Sequence, residues 1–125
     1  MEKIKKLPDA EFEIMKAVWA IEPPVTSYKI MQQLDNEKKW VTQVIITFLT
    51  RLVDKGFLRS EKVGRDRFYY PLVEREDYLN FETGNFIKQY HDNSFSNLVK
   101  TLNANKALTD EDIEELYEFL QERKE

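Results

Sequence analysis

One segment, residues 40–56, constrains the fold more than any other, because its apolar and polar side chains separate onto two faces of a helix. The apolar stripe is centred on Ile45 and comprises Val41, Ile45, Phe48, Leu49 and Leu52. The opposite face carries Gln43, Thr47, Thr50 and Asp54, with Arg51 beside them. Short hydrogen-bonding side chains can approach a base edge or a phosphate closely. The segment therefore predicts a helix that packs on a core and presents a face for reading nucleic acid.

A glycine and a basic hairpin follow this helix. Gly56 ends the helical pattern, and residues 57–63 and 67–72 predict two strands joined by the turn Gly64-Arg65-Asp66. A helix, a glycine stop and a hairpin with a basic tip, in that order, are typical of a winged helix-turn-helix. We therefore predict a mainly α fold with a small β-hairpin wing.

Two shorter helices are predicted before the helix of residues 40–56, which is called the reading helix below. The first is capped by Asp9 and ends before Pro23-Pro24, and the second is capped by Thr26 or Ser27 and runs through Leu34. Their candidate buried residues are Phe12, Ile14, Met15, Val18, Trp19, Ile21, Tyr28, Ile30, Met31 and Leu34. Together with the hairpin, these elements predict a winged-helix DNA-binding domain over residues 1–73.

Residues 74–125 predict a helical dimerisation region. The apolar residues recur at helical spacing in three short segments, and Thr109 opens the last of them with acidic residues in its first turn. About fifty residues of short amphipathic helices have too little core to stand alone, and a second copy is the simplest partner. The candidate dimerisation residues are Phe86, Tyr90, Phe95, Leu98, Val99, Leu102, Ile113, Leu116, Tyr117 and Leu120.

Composition excludes several classes of protein. The 125 residues contain no Cys and a single His, so neither a disulfide framework nor a multi-His zinc site is expected. His91 is predicted to be a surface residue, and the acids near Thr109 fit a helix start better than a cation site. With three Gly and no phosphate-cradling loop or nucleophile elbow, we expect no enzyme activity and no cofactor or metal. No run of 18 apolar residues occurs, so we expect a cytoplasmic protein without membrane insertion.

Charge is divided unevenly along the chain, whose net charge is −4. Residues 1–74 hold 13 basic and 11 acidic residues, whereas residues 75–125 hold 6 basic and 12 acidic ones. The acidic excess therefore belongs to the C-terminal part, and the asymmetry indicates two separate tasks.

Candidate DNA contacts come from three places in the first domain. In the reading helix they are Thr42, Gln43, Ile46, Thr47, Thr50 and Arg51; in the hairpin, Lys62, Arg65 and Arg67; before and within the second helix, Thr26, Ser27 and Tyr28. Thr42 borders the apolar stripe, and Gln43 can form a bidentate pair with adenine. Basic residues at the hairpin tip would meet phosphates or the minor groove, although a solvated turn has the same composition. Thr26 and Ser27 can both cap a helix and donate to phosphate.

Two half-exposed apolar residues and two lysines leave alternatives open. Val44 is expected to pack against neighbouring helices. Ile46 either packs in the same way or contacts a thymine methyl group. Lys38 and Lys39 either touch the DNA backbone or form a solvated link before the reading helix.

The ordered set of motifs resembles the penicillinase repressor (BlaI/MecI) family over nearly the whole chain. The resemblance rests on Ala10-Glu11-Phe12-Glu13-Ile14-Met15 with Val18-Trp19, Trp40, Leu49-Thr50-Arg51-Leu52, Lys55-Gly56-Phe57, Phe68-Tyr69-Tyr70-Pro71-Leu72-Val73 and Asp112-Ile113-Glu114-Glu115-Leu116. It implies a homodimer joined by its C-terminal helices, with each winged domain reading half of a palindromic operator. It also implies repression of β-lactam resistance genes, and induction by proteolysis downstream of a membrane-bound sensor protease.

The chain departs from the family pattern at two sites. Where family members often carry Thr-Ile-Arg-Thr, this chain has Val44-Ile45-Ile46-Thr47, so an arginine that could reach guanine is absent. The family's Asn-Phe cleavage site aligns with Thr101 and Leu102, which are the candidate cleavage residues here. The copper-sensing relatives carry a C-terminal cysteine cluster that this chain lacks.

Two alternative functions fit the same sequence. A winged-helix repressor could be released by a small ligand bound among Tyr78, Phe81, Phe86 and Tyr90, although a dimer core explains these aromatic residues equally. A winged-helix module could also bind proteins without binding DNA.

Overall fold

A computed structural model describes residues 4–34 and 40–124. Its elements are α1 (Asp9–Ala20), α2 (Ser27–Gln33), α3 (Thr42–Asp54), β1 (Leu58–Val63), β2 (Asp66–Pro71), α4 (Arg75–His91), α5 (Phe95–Ala104) and α6 (Asp110–Lys124). They form two compact units, Met1–Glu82 and Thr83–Glu125. The mainly α fold with one antiparallel hairpin is confirmed.

Local sequence signals explain where the first two helices begin. Thr26 caps α2, since its hydroxyl oxygen accepts a hydrogen bond from the Lys29 amide at 3.2 Å, as predicted. The prediction for α1 is wrong by one residue: Pro8 is the N-cap and Asp9 is the first helical residue. The Pro8 carbonyl accepts a hydrogen bond from the Phe12 amide at 2.9 Å, so Asp9 lies in the first turn of the helix. Its negative carboxylate interacts favourably there with the positive end of the helix dipole.

Helix α3 begins two residues later than predicted, at Thr42. Val41 is its N-cap and has an extended backbone, so its side chain leaves the helical stripe and is 56 % exposed rather than buried. Ile45, Leu49 and Leu52 are buried as predicted, whereas Phe48 is only partly buried. Gly56 ends the helix with a φ of 82°, and the Phe57 amide donates to the Leu52 carbonyl at 2.9 Å, a closure that favours glycine.

The core of the first unit lies between the three helices and the base of the hairpin. Its fully buried residues include Ile14, Met15, Val18, Val25, Ile30, Ile45, Leu49, Leu52, Phe57 and Leu58. Tyr28 was predicted to be buried and is exposed, because α2 turns only Ile30 fully inward. The Tyr28 hydroxyl accepts from the Gln32 side chain at 3.1 Å on the outer face of that helix.

The hairpin has a tighter turn than predicted. Val63 pairs with Asp66 and Lys62 with Arg67, which leaves a two-residue turn, Gly64 and Arg65. Gly64 has a φ of 64°, as a type II′ turn requires at its first central position. At the other end, the Tyr69 amide donates to the Val25 carbonyl at 2.8 Å and ties the hairpin to the segment before α2.

The first turns of α4 complete the core of the first unit. The Tyr78 ring is buried against Phe12 and Phe57, with ring centroids 5.5 and 5.6 Å away. Its hydroxyl accepts from the Leu7 amide at 2.8 Å. Burial raises the pKa of the Tyr78 phenol, and the hydrogen bond from the Leu7 amide offsets part of the rise. The assignment of residues 1–73 to a DNA-binding domain and of residues 74–125 to a dimerisation region stays a prediction.

The second unit consists of the end of α4 with α5 and α6. His91 was predicted to lie on the surface and is in fact 8 % exposed. Asp92 and Asn93, with φ of 50° and 63°, reverse the chain directly after it. This turn places His91 Nδ1 2.6 Å from Asn97 Oδ1 and its ring against Phe86.

Helix α6 is capped as predicted but is covered by nothing in the described part of the chain. Thr109 and Asp112 exchange side chain to backbone hydrogen bonds of 3.0 Å, which form a capping box. Hydrogen bonds from the Thr109 amide and hydroxyl lower the pKa of the Asp112 carboxyl. Every residue of α6 is exposed, including Ile113, Leu116 and Leu120 of the apolar stripe.

Candidate nucleic-acid interface

The outer face of α3 exposes to solvent three of the polar residues that are predicted to contact bases. Gln43, Thr47 and Thr50 are all exposed. The Thr47 hydroxyl donates to the Gln43 carbonyl at 3.0 Å, and the Thr50 hydroxyl donates to the Ile46 carbonyl at 3.0 Å. Both hydroxyl protons are therefore used within the helix, and outward the threonines offer only acceptor lone pairs and methyl groups. Gln43 is the member of the three whose amide can both donate and accept.

The remaining α3 candidates flank this face. Thr42 is exposed at the first helical position. Arg51 is exposed, with its guanidinium 5.5 Å from the centre of the Phe48 ring. Val44 was expected to pack against neighbouring helices but is 40 % exposed, and Ile46 is 37 % exposed.

A partly buried ion pair fixes the end of α3 against α1. The Lys55 ammonium, which directly follows α3, contacts the carboxylate of Glu11, whose residue is 3 % exposed. At the other end of the helix, the Trp40 ring packs edge-on against Phe48 with centroids 5.9 Å apart. Both contacts hold α3 in a defined orientation, as a reading helix requires.

The hairpin gathers positive charge at its tip. Lys62, Arg65 and Arg67 are all exposed, and Lys62 lies directly across the hairpin from Arg67. Like charges in such a cross-strand pair are destabilising unless an anion lies nearby. Arg67 donates from Nη1 to the Ser60 hydroxyl at 3.1 Å, which orients its guanidinium along the hairpin.

Two clefts separate the wing from the helices. The larger, about 480 Å³, is lined by Thr26, Ser27, Tyr28, Ile46, Arg65, Asp66, Arg67, Phe68 and Tyr69. The smaller, about 300 Å³, is lined by Ile46, Thr50, Val53, Ser60, Arg67 and Tyr69. The larger cleft brings together predicted contacts from all three places, whereas five predicted contacts line neither cleft: Thr42, Gln43, Thr47, Arg51 and Lys62.

The sequence analysis missed a tyrosine and a serine that lie beside Arg67 of the wing. Tyr69 lines both clefts, and Ser60 holds Arg67. Burial raises the pKa of the Tyr69 phenol, and the positive charge of Arg67 offsets part of the rise. The strand alternation around Arg67 could have located both residues, but only with the correct register.

Three further expectations concern two lysines before α3, metal binding and membrane insertion. Lys38 and Lys39 lie outside the described residues. Within residues 4–34 and 40–124, no group of acidic, His or Cys side chains could hold a metal ion. No helix in the same ranges is long and apolar enough to cross a membrane.

The chain is similar to known repressors over nearly its whole length. The family model described as penicillinase repressor matches residues 7–122. The penicillinase repressor of Bacillus licheniformis is 32 % identical over 124 residues, which cover 99 % of this chain and 96 % of that protein. The methicillin resistance regulatory protein MecI of Staphylococcus aureus (strain N315) is 30 % identical over 121 residues, covering 97 % and 98 %.

Two solved structures resemble part of this chain. The solution structure of the DNA binding domain of the repressor BlaI matches with a TM-score of 0.52 and 35 % identity, covering 62 % of this chain and 94 % of that domain. The monomeric form of Bacillus licheniformis BlaI in complex with the blaP half-operator matches with a TM-score of 0.50, at the same identity and coverage.

Proposed function

The chain belongs to the penicillinase repressor family, and on that premise we propose that it represses transcription by binding a palindromic operator as a homodimer. The match to the family model confirms the predicted family. The family consists of DNA-binding repressors rather than enzymes, in agreement with the prediction that the chain is not an enzyme. The observation that carries the proposal is the exposed polar face of α3 beside an exposed basic hairpin. A relative of the same fold has been solved with a half-operator.

In this proposal α3 enters the major groove. Gln43, with a free donor and acceptor, pairs with an adenine edge, and Thr47 and Thr50 accept hydrogen bonds from base amino groups. Arg51 contacts a phosphate or a base edge. Thr42, at the start of α3, also faces the major groove. The Glu11 to Lys55 ion pair keeps the helix from rotating out of this register.

The wing and the start of α2 hold the DNA backbone. Lys62, Arg65 and Arg67 neutralise phosphates, and an anion between Lys62 and Arg67 relieves their mutual repulsion. Thr26 caps α2 with its oxygen and keeps its hydroxyl proton for a phosphate, while Ser27 and Tyr28 add hydroxyl groups along the same cleft.

Dimerisation in this proposal uses the apolar surface that the second unit leaves exposed. Phe86, Tyr90, Phe95, Val99, Ile113, Leu116, Tyr117 and Leu120 are exposed, and Leu98 and Leu102 are partly buried. So large an apolar surface on so small a unit is typical of a protein interface. In an isologous pair one surface meets its own copy, and two tethered half-site contacts then bind far better than one.

Release follows from cleavage between Thr101 and Leu102 in this proposal. The bond lies inside α5, where the Thr101 hydroxyl donates to the Asn97 carbonyl at 2.9 Å. A protease needs the chain extended, so α5 must open locally before it is cut. Cleavage separates α6, with its share of the dimer surface, from the remainder. The names of the relatives favour β-lactam resistance genes as targets and a sensor-linked protease as the partner.

The ligand-release alternative receives less support from the packing. Tyr78, one of its four aromatic residues, is fully buried in the core of the first unit, where its hydroxyl is bonded to the Leu7 amide. Phe86 and Tyr90 are exposed and pack on one another with centroids 5.2 Å apart.

A gel-shift and footprinting experiment tests the proposed function. The full chain is incubated with DNA from upstream of its own gene, against a scrambled duplex of equal length. We expect specific retention and two protected half-sites spaced by about one helical turn or a multiple of it. No shift of the upstream duplex would overturn the proposal in favour of a protein-binding module, and equal affinity for both duplexes would overturn operator-specific repression.

A further inference from the structure

Ile46 is an apolar side chain placed among polar and cationic ones. It is 37 % exposed and lines both clefts between α3 and the wing. Arg67 shares both clefts with it, and Arg65 shares the larger one. An apolar group flanked by two guanidinium groups does not suit a dry protein interface, since the charges would have to be desolvated. It suits the major groove of a polyanion.

The neighbouring threonines extend the apolar character of this surface. The Thr47 and Thr50 hydroxyls both donate to backbone carbonyls, so in this structure their protons are engaged within the helix. What they add on either side of Ile46 is methyl surface and lone pairs. The outer face of α3 is therefore less polar than its residue types indicate, and Gln43 is left as its versatile hydrogen-bonding side chain.

The major-groove edge of DNA offers one apolar group, the 5-methyl of thymine. A methyl buried against Ile46 gains affinity, whereas a cytosine in its place would lose water from its amino group without finding an acceptor on isoleucine. We infer that Ile46 reads the 5-methyl group of one thymine in each half-site. The inference rests on the proposed function and names the base feature recognised at its centre.

Deoxyuridine tests this inference directly, because replacing thymine by uracil removes the methyl and leaves every hydrogen-bonding group in place. The full chain first selects a tight duplex from random-sequence DNA. Each thymine of that duplex is then replaced in turn by deoxyuridine, and the dissociation constant is measured by fluorescence anisotropy. For the unmodified chain we expect one position per half-site at which the replacement weakens binding about fourfold, the effect of one buried methyl.

Two variants identify the residue responsible. In Ile46→Ala the thymine and uracil duplexes should bind equally at that position, and Ile46→Val should keep part of the preference. Val44→Ala is the matched control, since Val44 is similarly exposed on α3 but does not line either cleft. It should retain the full preference. Thermal unfolding of each variant shows that the surface changes leave the fold intact.

The outcomes separate the two proposals. Failure to select any duplex above background would overturn the proposed function together with this inference. Specific binding without an effect of uracil at any position would overturn the inference alone. A uracil effect that persists in Ile46→Ala would also overturn it, by assigning the methyl contact to another residue.

Discussion

Gln43 carries the sharpest single-residue prediction, because its amide is the one group among the three exposed polar readers of α3 that both donates and accepts. In Gln43→Ala we expect preference at one base pair to fall by about 1–3 kcal/mol, the value of one bidentate pairing with adenine. Dissociation constants for four duplexes that differ only at that pair measure the effect. A uniform loss over all four would contradict a base-reading role and indicate a backbone contact.

The ion pair between Glu11 and Lys55 makes a prediction about stability. Lys55→Met leaves a buried carboxylate without its cation, and we expect the free energy of unfolding to fall by about 1–3 kcal/mol, less than for a fully buried pair because Lys55 is partly exposed. Urea unfolding of the full chain measures it. The double variant Glu11→Gln with Lys55→Met serves as the control.

That double variant should recover part of the missing stability, since neither charge then remains buried alone. Strictly additive losses would show that the two side chains stabilise the fold independently.

His91 shows where residue-level prediction from the sequence stops. The sequence analysis predicts a surface position for His91, yet the side chain is buried against Phe86 and bonded to Asn97. The cause is the pair of left-handed residues after it, Asp92 and Asn93, which folds α5 back toward the end of α4. Aspartate and asparagine are among the non-glycine residues that adopt this conformation most readily, so the Asp92-Asn93 pair was the available signal for the turn.

At the scale of elements, the sequence predicted each helix and both strands, because every one has a cap, a stop or a clear period. Boundaries shifted where a side chain in the pattern lies just outside the helix. Val41 fits the apolar stripe by spacing, but it precedes the first helical residue and points to solvent. The turn was predicted one residue too long because Asp66 is paired with Val63. Periodicity identifies an element well and its last residue poorly.

The wing makes the element-scale prediction. Arg65→Ala combined with Arg67→Ala should weaken binding to all DNA sequences alike, because both guanidinium groups are assigned to phosphates rather than to bases. The slope of log K against log salt should fall by about 2, or about one unit for each phosphate that is no longer neutralised. Binding titrations at several salt concentrations measure the slope.

Lys16→Ala is the control for the wing, since it removes an exposed positive charge from α1, outside the proposed interface. It should leave the slope unchanged. A double wing variant with the slope of the unmodified chain would remove the hairpin from the DNA interface.

For the whole molecule, the central prediction concerns assembly through the second unit. Leu116→Glu places a charge in the exposed apolar stripe of α6. Because an isologous interface carries the change twice, each copy loses about 1.5–3 kcal/mol of burial and the dimer dissociation constant should rise at least about a hundredfold. Sedimentation equilibrium measures the constant, and operator affinity should fall with it.

Glu115→Gln changes the charge of α6 by one unit on the side opposite the apolar stripe and should leave the dimer intact. A chain that is already monomeric at micromolar concentration, or a dimer insensitive to Leu116→Glu, would place the contact elsewhere.

The burial of Tyr78 has a practical consequence for any shortened form of the molecule. A fragment that ends at residue 73 lacks the ring packed against Phe12 and Phe57 and the acceptor for the Leu7 amide, so its hydrophobic centre is left open to water. A fragment cut after Thr101 keeps the ring and its hydrogen bond. In the proposed mechanism, cleavage there would therefore lower operator affinity by removing α6 from the dimer, while the core of the first unit keeps its packing.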